Sequence, residues 1–200
     1  MPRIEYEPLP RVFYARDTIS VAKELLGKLL VRVIDKNIIL SGMIVETEAY
    51  TLNDPASHAF KGINNRNRIM FGDVGYAYVY LIYGNHYCFN VVAKDSSMSA
   101  GAVLIRALQP IDGIDVMQKV SRSGGGRDDR IASGPGRLTK ALSIGKEHNG
   151  IDLTVRGPLY IAHYVNIDKE YIVATKRIGI TKATDKLWRF IVKDNKYVSK

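Results

Sequence analysis

The segment Ile44-Val45-Glu46-Thr47-Glu48-Ala49-Tyr50 sets two carboxylates and a phenol at alternate positions. In an extended strand alternate side chains share a face, so Glu46, Glu48 and Tyr50 stand together while Val45, Thr47 and Ala49 occupy the other side. Paired carboxylates that run into an irregular segment suit acid–base work on a bound substrate. The same pattern also fits an ordinary antiparallel strand with one polar, solvated face. A second concentration of chemistry lies at residues 76–90, where five of the twelve tyrosines fall. Tyr76, Tyr78 and Tyr80 alternate along a strand, and Tyr83 adjoins the turn pair Gly84-Asn85, a hairpin signal. An aromatic strand face can stack on nucleobases, and a tyrosine at a hairpin tip can wedge between them. Plain cross-strand packing accounts for Tyr76 and Tyr78, and accounts poorly for Tyr83, which has little core to reach.

Other reactive groups are sparse. His58, His86, His148 and His163 show no metal-ligand spacing, and a set of Glu46, Glu48, Asp54 and His58 is a weak metal signal. Cys88 is the single cysteine, which excludes an intramolecular disulfide framework and a multi-cysteine zinc site. Gly124-Gly125-Gly126 lacks the strand-to-helix setting of a nucleotide-binding loop, so nucleotide cofactors are unsupported.

These residues need a scaffold. Asp17-Thr18 ahead of Ile19, Val21, Ala22, Leu25 and Leu26, with Gly27 after them, predicts a capped short helix. Residues 29–34 and 38–50 predict a long hairpin, and residues 51–75 an irregular stretch of the length that tends to be functional. Strands follow at 76–83, 87–93 and 102–108, the last closed by Pro110. A helix is expected at 112–120, then a glycine-rich basic loop at 121–130. Ser133-Gly134-Pro135 opens a further helix through Leu142, and short strands follow at 159–163, 171–175 and 188–192. With no repeat and no linker between two cores, residues 1–200 read as one α+β domain around an antiparallel sheet.

Hydrophobic residues make up 46% of the 200 residues and charged ones 24%, which excludes disordered and fibrous classes. Lys and Arg outnumber Asp and Glu 29 to 20, for a net charge of +9. Residues 1–100 hold 11 basic and 10 acidic side chains, and residues 101–200 hold 18 and 10. Such an excess suits a polyanion, and equally a surface kept soluble by its charge. No apolar run approaches the roughly 20 residues that span a bilayer, and the first residues lack the pattern of a secretory signal. The expectation is a soluble, basic, intracellular protein with no membrane association.

The motifs together resemble the alkyladenine (3-methyladenine) DNA glycosylase family. They are Leu25-Leu26-Gly27-Lys28, Val45-Glu46-Thr47-Glu48-Ala49-Tyr50, His58, Arg66-Asn67-Arg68 through Met70-Phe71, and Tyr78-Val79-Tyr80 through Tyr83-Gly84. Asn90, Leu104-Ile105-Arg106-Ala107-Leu108, Ser133-Gly134-Pro135, Arg177-Ile178-Gly179-Ile180 and Arg189-Phe190 complete the set, from about residue 10 onward. The resemblance implies a curved, open-barrel-like sheet similar to the C-terminal domain of methionyl-tRNA formyltransferases, with flanking helices and a protruding β-hairpin. It implies a monofunctional enzyme that flips an alkylated purine such as 3-methyladenine out of duplex DNA, hydrolyses its N-glycosidic bond and leaves an abasic site. Glu48 would activate the water and Arg106 would help hold it. Tyr50, His58 and Tyr80 would wall the base pocket, with Asn90 at its edge and the backbone around Ile180 completing the water site. Tyr83 would fill the gap left by the extruded nucleotide, while Arg66, Arg68, Arg127 and Arg130 would bind phosphates. No metal, cofactor or obligatory protein partner is implied, and the enzyme would act as a monomer on double-stranded DNA with damaged purines. A prokaryotic, cytoplasmic location is added only by this resemblance.

Flipping costs a few kcal/mol, least for damaged bases, and a cationic alkylated purine stacks on electron-rich rings at about 1–2 kcal/mol when desolvated. A cationic base leaves without a proton. Neutral lesions need help, and no general acid is apparent. Glu46 is expected to serve as an ion-pair or hydrogen-bond partner beneath the site. Three other readings stay open: a noncatalytic nucleic-acid-binding module, a metal-dependent nuclease built on Glu46, Glu48 and Asp54, and a lysine Schiff-base lyase. His86 and the lengthened turn at 95–99 depart from the family pattern.

Overall fold

The computed structural model describes residues 6–82, 84, 86–122 and 130–200. A short first helix, α1 (Arg11–Tyr14), precedes α2 (Thr18–Glu24), where Asp17 accepts a hydrogen bond from Ser20 N at 2.8 Å and so satisfies one free amide of the first turn. Gly27 follows with φ +85, and a Cβ there would stand 2.7 Å from Val165 O, so both the turn and the close approach require glycine. The chain then enters β1 (Leu29–Val33), turns where Asp35 Oδ1 accepts from Asn37 N and Ile38 N, and returns as the long β2 (Ile39–Thr51). β3 (Ala77–Ile82), β4 (His86–Val92) and β5 (Gly101–Asp112) follow, then α3 (Ile114–Arg122), α4 (Pro135–Ala141), β6 (Leu159–Ala162), β7 (Ile172–Thr175) and β8 (Arg189–Val192).

The eight strands form one antiparallel sheet in the order β3-β4-β5-β2-β1-β6, with β8 also on β2 and β7 on β8; it curls into a half-barrel, giving an α+β fold. The face of the sheet that packs against α2 and α4 buries Val21, Ala22, Leu25, Leu138 and Leu142 with Ile44, Phe89, Val91, Val103 and Ile105. Each of these Val, Leu, Ile and Phe side chains contributes roughly 1.5–3 kcal/mol on burial. Along one edge of β2 the neighbour changes from β1, at residues 39–43, to β8, at residues 46–48, while β5 runs along the other edge. The functional motif lies where that handover occurs.

Two expectations are corrected. Pro110 does not close β5, which runs on to Asp112; Pro110 sits opposite Gly42 and the next residue, Ile111, is left over in a bulge that absorbs the proline. Asp112 therefore belongs to the strand, accepting from Ser41 Oγ, and α3 starts two residues later. α1 had no signal, since four residues are too few to show a period. The irregular stretch 51–75 holds turns and one 3-10 turn, Arg68–Phe71. Tyr83 and Asn85, expected at a hairpin turn, and most of the expected glycine-rich loop with Arg127, lie outside the described residues.

Candidate active site

Residues paired across adjacent strands point to the same face. Tyr78 pairs with Asn90, Asn90 with Leu104, Leu104 with Glu48, and Glu48 with Arg189, so one line of side chains crosses β3, β4, β5, β2 and β8. Two bulges interrupt the neighbouring register: Val45 on β2 and Arg106 on β5 each lack an opposite residue. A bulge re-aims its side chain, and Arg106 is turned between the two carboxylates of β2. Its Nε lies 2.8 Å from Glu46 Oε1 and its Nη1 3.4 Å from Glu48 Oε1. Thr47 points the other way and donates to Ala22 O at 2.7 Å. Glu46 and Glu48 thus share a face as the alternation predicts, but that face is not solvated: both carboxylates are fully buried.

The two carboxylates have different surroundings. Glu46 accepts from Arg106 Nε, from Arg189 Nε at 2.6 Å, from Ser199 N at 2.7 Å and from Ser199 Oγ at 2.8 Å. Three of these donors crowd Oε1 and one meets Oε2, with two guanidiniums among them, which makes Glu46 a structural anion beneath the site, as expected. Glu48 accepts from Tyr50 Oη at 2.7 Å through Oε2 and from Ile178 N at 2.8 Å through Oε1. With Arg106 beside Oε1, one acceptor position remains on Oε2. Burial opposes charge on Arg106, but Glu48 and Glu46 outweigh it and hold its pKa above the ordinary value. Tyr50 is pushed well above a normal phenol, by burial first and then by the Glu48 charge, so it stays a donor.

A cavity of about 880 Å³ opens over this line of residues. Its floor is Tyr50, Tyr78, Tyr80, Cys88, Asn90, Leu104 and Arg106; its walls come from the 55–66 loop and from residues 178–182. Tyr78 and Tyr80 lie with ring centroids 5.1 Å apart, and His58 stands 4.7 Å from Tyr80 with Nδ1 2.9 Å from Tyr78 Oη. Burial pushes Tyr78 up to about 12, whereas His58 is held below its ordinary value, by desolvation first and then by the Arg66 charge. Asn90 donates to Tyr78 O at 3.0 Å. Tyr50, His58, Tyr80, Asn90, Ile180 and Arg106 are therefore brought together, with Glu48 directly beneath.

The basic calls separate. Arg66 is at the cavity mouth with its guanidinium carbon 5.1 Å from the Tyr80 ring centre. Arg68 faces a different, shallower hollow of about 550 Å³ beside Phe71 and Tyr76, and Arg130 is exposed ahead of α4. Two residues gave no sequence signal as partners. Arg177, fully buried, pairs with Asp54, donates to Ala49 O at 2.9 Å and covers Tyr50 and Trp188 at 4.7 and 5.3 Å. Asn67 ties the 58–67 loop by donating to His58 O at 2.8 Å and Gly62 O at 2.9 Å. The amide at Glu48 belongs to Ile178, two residues before the position expected from the motif. Asp54 is taken up by Arg177 instead of joining Glu46 and Glu48, and among the described residues no group of three His, Cys, Asp or Glu could hold a metal ion.

A family model described as methylpurine-DNA glycosylase (MPG) matches residues 12–196. The chain belongs to the methylpurine-DNA glycosylase family. A protein of Carboxydothermus hydrogenoformans is 50% identical over 192 residues, covering 96% of this chain and 98% of that one, and is provisionally named 3-methyladenine DNA glycosylase. Relatives with the same provisional name in Methanoculleus marisnigri and Clostridium perfringens are 49% and 44% identical, each over 96% of this chain and 98% of their own. Methylpurine-DNA glycosylases hydrolyse N-glycosidic bonds in DNA repair, and the cavity with its buried acid belongs to a member of that class. Among the described residues no helix is long and apolar enough to cross a membrane.

Proposed function

We propose that the chain excises alkylated purines such as 3-methyladenine by flipping them from duplex DNA into the 880 Å³ cavity and hydrolysing the bond to C1′. The observation that carries this reading is the state of Glu48, buried, with two hydrogen-bond donors and the Arg106 guanidinium fixed around it and one acceptor position left on Oε2. In that state it is oriented to take a proton from one water, and Arg106 Nη1 would help place the same water near C1′. The N9–C1′ pair departs with the base, the water oxygen joins C1′, and its proton passes to Glu48. Tyr50, His58 and Tyr80 would hold the base between their rings, with Asn90 at its edge and the backbone of Ile180 at the water. Tyr83 would fill the vacated stack, and Arg68, Arg127 and Arg130 would contact phosphates. The enzyme works on double-stranded DNA as a monomer, residues 1–200 forming one domain.

The test is Glu48→Gln in single-turnover release of free base from methylated duplex DNA, with chelator present. The substitution is expected to preserve lesion binding and to abolish release. Full release by that variant refutes the assignment, and chelator-sensitive strand cleavage by the wild-type chain points to a nuclease instead.

A further inference from the structure

We propose that the positive charge of Arg66 assists departure of the base, for neutral and cationic lesions alike. This inference rests on the glycosylase reading. Among the described residues, Arg66 forms no ion pair: its guanidinium lies over Tyr80 at 5.1 Å and reaches Leu81 O at 3.4 Å. The described lining of the cavity includes Lys61, Arg66, Arg106 and Lys182 and no carboxylate, since Glu48 lies behind it. Arg106 is neutralised by its two buried acids, which leaves Arg66 as the unpaired charge on the aromatic wall. Its field is felt inside: it lowers the proton affinity of His58 and Tyr78.

The chemistry follows from charge balance. When N9–C1′ breaks heterolytically, the electron pair stays with the base and positive charge moves to the sugar, beside Glu48. An alkylated cationic purine becomes neutral; a neutral purine becomes an anion that afterwards takes up a proton. In both cases the base loses one unit of positive charge. A fixed cation beside it opposes the ground state, or stabilises the product, by the same amount, and therefore favours the transition state in both. Arg66 is exposed in the free protein, where solvent screens it. A duplex seated on the mouth excludes that water and lengthens the reach of the charge. The positive charge reappears on the sugar, a few ångströms farther from the guanidinium, so only the difference counts: moving from about 8–10 Å to about 13 Å at an effective dielectric near 20 gives roughly a two- to fourfold rate effect.

The experiment compares wild type, Arg66→Gln and Arg66→Lys at saturating enzyme in single-turnover release, on duplexes carrying 7-methylguanine (cationic) and hypoxanthine (neutral). Binding to both duplexes is measured separately. The expected result is about a two- to fourfold loss of the chemical rate on both lesions for Arg66→Gln, with Arg66→Lys close to wild type. If Arg66→Gln weakens binding alone and leaves the saturated rate intact, the residue is a phosphate contact and the inference is overturned. If Arg66→Lys loses as much as Arg66→Gln, shape matters and charge does not, which overturns it as well. Absence of base release by the wild-type chain overturns the glycosylase reading and this inference with it.

Discussion

Glu46→Gln tests the buried charge cluster beneath the site at the point of greatest leverage. Glu46 is fully buried and faces Arg106 and Arg189, whose side chains are 8% and 12% exposed, together with both donors of Ser199. With Glu48, the cluster holds two carboxylates and two guanidiniums, so it is neutral as a whole. The amide keeps the shape but removes the charge, leaving one uncompensated cation in a dry setting. It also forces an NH2 group against a donor, because both oxygens of Glu46 accept hydrogen bonds. Breaking a buried pair on one side costs about 3–5 kcal/mol. At about 2–4 °C per kcal/mol for a chain of this size, the midpoint should fall by roughly 6–20 °C. Urea and thermal unfolding of Glu46→Gln, Arg189→Met and the double variant would measure it, and the double variant should recover more than about 1 kcal/mol relative to the sum. A single-variant loss below about 1 kcal/mol, or additivity within about 0.5 kcal/mol, would refute the view that these charges depend on each other.

Two further outcomes follow from the walls of the cavity. Asn67→Ala removes the side chain that bonds His58 O, Gly62 O and Asn64 N; it should cost about 2–4 kcal/mol and weaken lesion binding through His58. Unchanged denaturation curves with normal binding would show that the loop is held by other means. His58 and His148 are both held below the ordinary 6.5, chiefly by desolvation, with Arg66 and Arg32 adding to it. Above that value both states are neutral and stability is whole. As pH falls the unfolded chain takes up the protons first, so stability is lost through 6.5 and down through the lower folded values. Comparing urea unfolding at about pH 7.5 and about pH 5.5, a His58→Gln, His148→Gln variant should lose less than wild type, and an equal loss would contradict the assignment.

The parts of this molecule written in the sequence are those governed by neighbours along the chain. The Asp17 cap, the Gly27 stop, the alternation through Glu46, Glu48 and Tyr50, and the Gly84-Asn85 hairpin signal between β3 and β4 each depend on a few consecutive residues. The partnerships that settle which carboxylate does what are set by distant segments. Arg189 and Ser199 bond Glu46, Ile178 N orients Glu48, and Arg177 removes Asp54 from any metal-ligating set. A single sequence offers no periodicity from which such pairs could be read. The same limit explains Pro110: its local meaning is a strand stop, and only the bulge at Ile111, which follows Pro110 opposite Gly42, makes room for it.

The link between Ser199 and Glu46 spans 153 positions. At about 5–20 residues per second, roughly 8–30 s separate synthesis of the carboxylate from synthesis of its last donors. Until then Glu46 lacks two of its four hydrogen-bond donors. The buried charge cluster of β2 and β5 is therefore closed by a segment made long after its carboxylates, so its completion waits on the Ser199 donors and not on the strands that carry the acids.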